Sequence, residues 1–314
     1  MDAKKIIFIV GPTAVGKSDI ACAVAQEIRG EIVSCDSMQI YKEIAIASNK
    51  PSPGMLRAVP HHLVDILTVE EEFDVARFNA LALEAVRDIH GRGGVPLVVG
   101  GSGLYMQVLL DGIFKGGVKN EALRHDLKGQ ARQYGNGFLY DKLKAADPAA
   151  AARIHPNDAR RVIRALEVYM SESVPISELQ RGREGLWGRF DISLYALNRN
   201  REELYARINE RVEEMFSRGI VEEIRALESL NWSKTANKII GVEEIQGMLR
   251  SQRGLEEAKE AMKMNTRRLA KRQLTWFKKD KRLEWVTVAA SDKPGDVAED
   301  ILNRWQSLSM EGRR

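Results

Sequence analysis

The chain has 314 residues, 44% of them hydrophobic, and a formal net charge of +4, which suits one large domain or two smaller ones around a buried core. No run of about 18 apolar residues is present, so no helical membrane span is indicated. The two cysteines, Cys22 and Cys35, are too few for a disulfide framework or a zinc site.

Both cysteines lie in apolar segments and read as buried free thiols in a reducing cytoplasm. The first residues, Met1 to Lys5, run straight into a strand, with no signal peptide in view. Residues 6–10 are an apolar strand. It leads into Gly11-Pro12-Thr13-Ala14-Val15-Gly16-Lys17-Ser18, and a helix opens at Asp19. A G-x-x-x-x-G-K-S run between a strand and a helix has the context a phosphate-binding loop needs. The glycines let successive backbone N–H groups point inward, and the helix N-terminus adds positive potential. Lys17 supplies a cation for phosphate oxygens, and the Ser18 hydroxyl suits Mg²⁺. Loops of this kind also bind ATP.

Residues 31–35 form a second short strand ending in Asp36-Ser37-Met38-Gln39. A carboxylate at that strand end points into the crevice where α/β sheets bind ligands. There Asp36 could act as a general base, cap a helix, or do both. Pro51, Pro53, Gly54 and Pro60 mark a loop. Residues 61–66 read as a strand, whose adjacent His61 and His62 face opposite ways and make a poor metal pair. Residues 73–90 have helical spacing, with Phe73, Ala76, Ala80, Leu83, Val86 and Ile89 on one face. Another apolar strand, 95–99, runs into the glycine-rich turn Gly100-Gly101-Ser102-Gly103, which reads as a place of close ligand approach. The alternation of strand and helix predicts a parallel sheet covered on both faces. The strand 95–99 ends in glycines rather than in the Asp that ordinary NTPases use to hold Mg²⁺; Val64-Asp65 is a weak substitute, and Asp36 is the acid in the best position.

After Gly112 the pattern turns helical and polar, with Gly116-Gly117 as a candidate hinge. Asp147 starts one helix. His155-Pro156-Asn157-Asp158 caps another, which carries Arg160, Arg161 and Arg164 in its first turns. Cations there oppose the helix dipole, so they either serve a function or pair with Asp158 and Glu167. Strand character returns at 192–197, followed by a helix at 201–216 with Arg207 and Arg211 one turn apart. A long helix at 258–279 repeats Met262, Leu269 and Trp276 on one side. From Lys263 to Arg282 nine Lys/Arg face one acid, Asp280, for a charge of +8. That density suggests a polyanionic partner, or else a solvated face. The tail beyond Ala290 is polar and uninformative.

Taken together these motifs resemble the tRNA dimethylallyltransferases (isopentenyl-diphosphate:tRNA transferases). The matching pieces are the phosphate loop, Asp36-Ser37-Met38-Gln39-Ile40-Tyr41-Lys42, His61-His62-Leu63-Val64-Asp65, Gly100-Gly101-Ser102-Gly103-Leu104-Tyr105, the stretch from His155 to Val168, and Arg268 to Phe277. The resemblance implies transfer of a dimethylallyl group from dimethylallyl diphosphate to N6 of adenine 37, beside the tRNA anticodon, with release of diphosphate. The implied fold is a P-loop NTPase-like parallel sheet covered by helices, with an inserted all-helical domain that grips the anticodon stem-loop. Residues 1–117 and 189–314 would form the core and 118–188 the insertion. Asp36 would be the base, with Lys17 and Arg211 stabilising the leaving diphosphate. Gly11 to Ser18 would hold the diphosphate, with Mg²⁺ at Ser18. Asp36, Ser37, Met38, Gln39, Gly101, Ser102, Arg160, Arg161, Val162, Ile163, Arg164, Lys271, Arg272 and Gln273 would meet tRNA. The enzyme would act as a cytoplasmic monomer. The chain departs from the family pattern at Ala47-Ser48-Asn49-Lys50-Pro51 (usually Gly-Thr-Ala-Lys-Pro), at Ser102 (usually Thr), and at Lys238 and Val242 (usually Gln and Tyr). Three rival readings stay open: a small-molecule P-loop kinase, a transferase acting on free adenine nucleotides, and a non-catalytic RNA-binding module.

Overall fold

The computed structural model describes residues 4–114, 116 and 120–311. Six strands form one parallel sheet: β1 (Lys5–Val10), β2 (Gly30–Ser34), β3 (His61–His62), β4 (Val95–Gly100), β5 (Asp191–Asn198) and β6 (Glu284–Thr287), in the order β3-β2-β4-β1-β5-β6. β1 has no exposed residue after Lys5. Both of its faces are covered by helices, which is why it is apolar at every position rather than at alternate ones.

Register sets the site. Val10, the last residue of β1, lies beside Gly100 at the end of β4 and Ala196 near the end of β5. The segments leaving β1, β2 and β4 therefore emerge along one carboxyl edge, where α/β sheets bind ligands. Gly100 is glycine because β4 ends against the backbone leaving β2: a Cβ there would lie 2.1 Å from the Cys35 carbonyl oxygen.

The helix Lys17–Glu27 follows β1 and packs against the helix Pro294–Glu311. The latter occupies the tail that reads as uninformative. Its Val297, Ala298, Ile301 and Leu302 are buried in the main core, an i, i+1, i+4, i+5 stripe inside a polar segment. Three other expectations shift. The strand expected at 61–66 stops at His62, because Leu63 and Asp65 take left-handed conformations (φ 63° and 57°) that no strand accommodates. The loop around Pro53 contains a short helix, Pro53–Ala58, capped by the Ser52 hydroxyl. The helix Val75–Gly91 is present, but its buried face is Phe78, Ala82, Ala85, Val86 and Ile89, while Ala76 and Ala80 are exposed. Asp74 caps it, accepting from the Ala76 and Arg77 N–H groups.

Contacts divide the chain into two compact units, Met1–Leu109 with Gly188–Arg314, and Leu110–Trp187. The expected boundary at 117/118 and the hinge residue Gly117 lie outside the described residues. The second unit contains helices and, among the described residues, no strand. Its core is built from Leu127, Leu139, Leu143, Val162, Leu166 and Val168. Its two ends meet, with the Trp187 N–H donating to the Leu110 carbonyl at 2.9 Å. A Cβ on Gly112 or Gly185 would strike the opposite segment within 2.4 Å.

Candidate active site

The loop after β1 is built for an oxyanion. The helix Lys17–Glu27 begins at Gly16, which is left-handed (φ 106°), and no side chain caps it. Its first N–H groups are thus left to a ligand. Ala14 also sits in the left-handed region (φ 65°), a conformation that costs a non-glycine residue about 1 kcal/mol. The Arg207 guanidinium holds it there, its Nε donating to the Ala14 carbonyl at 3.0 Å. One helical turn on, Arg211 Nη1 lies 3.4 Å from the Thr13 hydroxyl. Both arginines come from one face of the helix Arg201–Ser217. The Lys17 ammonium donates to the Pro12 carbonyl at 2.7 Å, which keeps it inside the loop.

A crevice of about 300 Å³ opens beside the loop, lined by Thr13, Lys17, Ser18, Asp36, Gln39 and Arg211 among others. Burial pulls the Lys17 pKa down to about 8, Asp36 acting against the shift and Arg211 with it. Burial, then Arg207, also depresses Arg211. Asp36 moves the other way: desolvation raises its pKa, opposed by the Met38 N–H, which donates to Oδ1 at 2.9 Å, and by Lys17. The Met38 contact is an Asx turn, and no helix follows it, so Asp36 is not the helix cap of the alternative reading. Opposite shifts on an acid and a base in one cleft mark candidate catalytic groups.

The far wall is the segment that departs from the family pattern. Ser48, Asn49, Lys50 and Pro51 line the crevice. The Glu223 carboxylate holds this segment by accepting from the Ala45, Ile46 and Ala47 N–H groups at 2.7 to 2.9 Å. Gln39 Nε2 donates to the Asn49 carbonyl. Asn49 is left-handed (φ 49°), which asparagine tolerates better than most residues. At the other departure Val242 is buried and Glu244 caps Gly241, so Val242 packs the core.

Two expectations about backbone approach change. Gly101 and Gly103 face protein atoms. A Cβ on Gly101 would lie 2.3 Å from Gln273 Nε2, and one on Gly103 would lie 2.2 Å from the Trp276 ring. Gln273 belongs to the helix Leu255–Phe277 and ties two loops together. Its Oε1 accepts the Thr13 N–H at 2.8 Å, and its Nε2 donates to the Gly101 carbonyl at 3.1 Å. On that helix Arg268, Lys271 and Arg272 are exposed. Lys263, by contrast, pairs with Glu213 and Glu260, and Arg267 donates to Asn209. Ser102 starts the following helix, its carbonyl accepting the Met106 N–H. Ser37 and Met38 are half-buried beside Asp36.

The arginine-rich stretch lies in the other unit. Val162 and Ile163 are buried there, so their side chains are core. Arg161 pairs with Asp158 at 3.4 Å, and Arg164 with the fully buried Glu167 at 2.8 Å, as the salt-bridge alternative expected. Arg160 is exposed. His62 pairs with Glu31, whereas His61 lines the crevice.

The residues matching the IPP transferase family model are 39–280. The chain belongs to the IPP transferase family. It is 43% identical to a tRNA dimethylallyltransferase of Alkaliphilus oremlandii over 95% of this chain and 96% of that one. It is 44% identical to another from Geobacillus thermodenitrificans, over 95% of both. Among solved structures it resembles the tRNA isopentenylpyrophosphate transferase of Bacillus halodurans (TM-score 0.72, 36% identity, 99% of this chain and all of that one). It also resembles a eukaryotic dimethylallyltransferase acting on tRNA (TM-score 0.75, 31% identity, 92% of this chain and 75% of that one). The family's P-loop-type parallel sheet is the sheet described above. No helix among the described residues is long and apolar enough to cross a membrane.

The crevice offers oxygens that suit a divalent cation. Among the described residues no cluster of three acidic, His or Cys side chains could hold a metal alone. The Ser18 hydroxyl, with Asp19 and Glu214 on the same crevice, offers hard oxygens. Mg²⁺ prefers few protein ligands, completed by water and substrate phosphates.

Proposed function

We propose that this enzyme, a tRNA dimethylallyltransferase by family, carries the dimethylallyl group from dimethylallyl diphosphate to N6 of adenine 37 in the tRNA anticodon loop, releasing diphosphate. The observation that carries the reading is the meeting of Asp36 with Lys17 and Arg211 around one phosphate loop. The loop N–H groups, Lys17 and Arg211 bind the diphosphate and balance the charge that grows on it as the allylic C–O bond breaks. Asp36 takes the proton from the exocyclic amine as the C–N bond forms. Mg²⁺ at Ser18 would add charge neutralisation on the diphosphate.

The adenine leaves its stack to reach such a pocket, at a cost of a few kcal/mol. Phosphate contacts from Lys271, Arg272, Arg160 and Arg161 offset that cost. Ser37, Met38 and Gln39 lie next to the base and suit contact with the extruded adenine. Gly101, Ser102 and Gln273 shape the wall behind it. We assign a monomer acting in the cytoplasm on the anticodon stem-loop.

Labelled dimethylallyl diphosphate is incubated with bulk tRNA, AMP or ATP. Label in tRNA alone is expected. Label in AMP or ATP would move the enzyme to the free-nucleotide class, and phosphate transfer from ATP without RNA would make it a kinase. Asp36→Asn should lower single-turnover transfer by roughly 10²–10⁴, the usual weight of a general base. Near-wild-type transfer would remove Asp36 from that role.

A further inference from the structure

The helical unit contains a second concave site, of about 340 Å³, lined by Ala149, Arg153, Ser177, Gln180, Arg181 and Arg183. Three of its six lining residues are arginines. Three other arginines of the unit pair with acids: Arg124 and Arg164 with Glu167, and Arg161 with Asp158. Arg153 and Arg183 are held by carbonyls. Arg153 Nε donates to the Ala149 carbonyl at 3.2 Å and Arg183 Nε to the Gln180 carbonyl at 3.0 Å. Arg153 Nη2 also donates to Gln180 Oε1 at 3.5 Å. A guanidinium bound only by neutral oxygens keeps full charge and has further N–H groups to offer a ligand. Asp147 is buried, and its oxygens accept the Ala150 and Ser177 N–H groups, while Glu178 and Glu184, beside Arg181 and Arg183 in the chain, are exposed. Arg181 is exposed at the rim.

Two anchored guanidinium groups and the exposed Arg181, with no carboxylate ion pair among the described residues, line one concavity and suit a tetrahedral oxyanion. We propose that this pocket is a phosphate subsite that grips the sugar-phosphate backbone of the RNA substrate. It rests on the reading that the substrate is tRNA. It reads no base: the guanidinium groups meet phosphate oxygens, which position an RNA without selecting its sequence. None of the three arginines lies in the stretch His155 to Val168 or in the basic helix Leu255–Phe277.

The test is the triple change Arg153→Gln, Arg181→Gln and Arg183→Gln in the full chain. Affinity for tRNA is measured against salt by filter binding, with pyrophosphate affinity as a check on the folded core. Each phosphate no longer neutralised should reduce the log–log salt slope by about 0.7–0.9. The triple variant should therefore show a slope smaller by about 1 to 3, at least tenfold weaker tRNA binding at low salt, and unchanged pyrophosphate affinity. Arginine modification by phenylglyoxal, mapped by mass spectrometry, gives the second arm. Protection of Arg153 and Arg183 by tRNA, and not by millimolar inorganic phosphate, supports the backbone subsite. Protection by inorganic phosphate at equal efficiency would make it a free-anion site and overturn the proposal. Wild-type salt dependence in the triple variant would overturn it and leave the tRNA reading intact. Failure of the wild-type chain to bind tRNA would overturn both.

Discussion

Gln273 decides between two roles for one residue. The family resemblance puts it on the tRNA. In the structure both ends of its amide are taken, by the Thr13 N–H at 2.8 Å and the Gly101 carbonyl at 3.1 Å. Gln273→Ala removes both bonds and leaves the phosphate loop without its tie to the basic helix. A neutral hydrogen bond contributes about 0.5–1.5 kcal/mol net, so two are worth roughly 1–3 kcal/mol. Thr13 is in the loop and also meets Arg211, so most of that loss falls on loop order. If all of it is felt when diphosphate binds, pyrophosphate affinity drops roughly 5- to 150-fold. Gln273→Glu is the sharper variant. It keeps an acceptor for Thr13, loses the donor to Gly101, and adds a negative charge beside the diphosphate, so it should bind pyrophosphate more weakly than Gln273→Ala. Calorimetric titration with inorganic pyrophosphate, without RNA, measures both. Wild-type pyrophosphate affinity in Gln273→Ala, with weakened tRNA binding, would refute the tie and restore Gln273 to the RNA.

Lys17 has a pKa of about 8 in the folded chain against 10.5 unperturbed. Between those values the unfolded chain holds the proton and the folded chain does not, so this group makes stability rise with pH from about 8 to 10.5. Diphosphate should recharge it, so binding at pH 8.5–9 should take up a proton, seen as a buffer-dependent enthalpy that Lys17→Met abolishes; an uptake that survives in Lys17→Met belongs to another group. Gly100→Ala puts a Cβ 2.1 Å from the Cys35 carbonyl, whereas Gly91→Ala meets nothing within 4 Å at the end of a helix. The first should destabilise by about 1–3 kcal/mol and the second should be neutral or stabilising by up to about 1 kcal/mol, and thermal melts that rank them otherwise would contradict the packing at the end of β4. The double change Lys271→Glu and Lys278→Glu, both exposed, should weaken tRNA binding and flatten its salt dependence while leaving pyrophosphate affinity alone. Two parallel salt lines of equal affinity would return that face to solvent.

What can be read from the sequence follows the range of the physics involved. The phosphate loop and its flanking strand and helix are local, set by residues 6–25 themselves. Asp36 is legible because a strand end near a phosphate loop has one place to point in a parallel sheet. Gln273 is not legible as a tie, since its partners lie 260 and 172 residues away; the glycine at 101 is the available signal, and it reads equally well as room for a ligand. The helix Pro294–Glu311 hides in a polar tail because four buried residues suffice to dock it on the helix Lys17–Glu27. Arg153, Arg181 and Arg183 carry no signal of their own, being scattered among helical turns that only the folded unit brings together.

The charges around the loop also couple the bound donor to the base. Within the crevice Lys17 is the nearby cation that opposes the burial-driven rise of the Asp36 pKa. The same Asp36 helps Lys17 keep its proton. A diphosphate in the loop neutralises the field of Lys17 and Arg211 and adds negative charge of its own. Both changes act on Asp36 in the same direction: its pKa climbs. A carboxylate with a higher pKa is a stronger base, so the donor that supplies the leaving group also strengthens the group that receives the amine proton. Asp36 is therefore a weaker base whenever the donor is absent. The acid limb of transfer against pH should accordingly lie higher with saturating donor than with donor limiting, and Lys17→Met should bring the two limbs together.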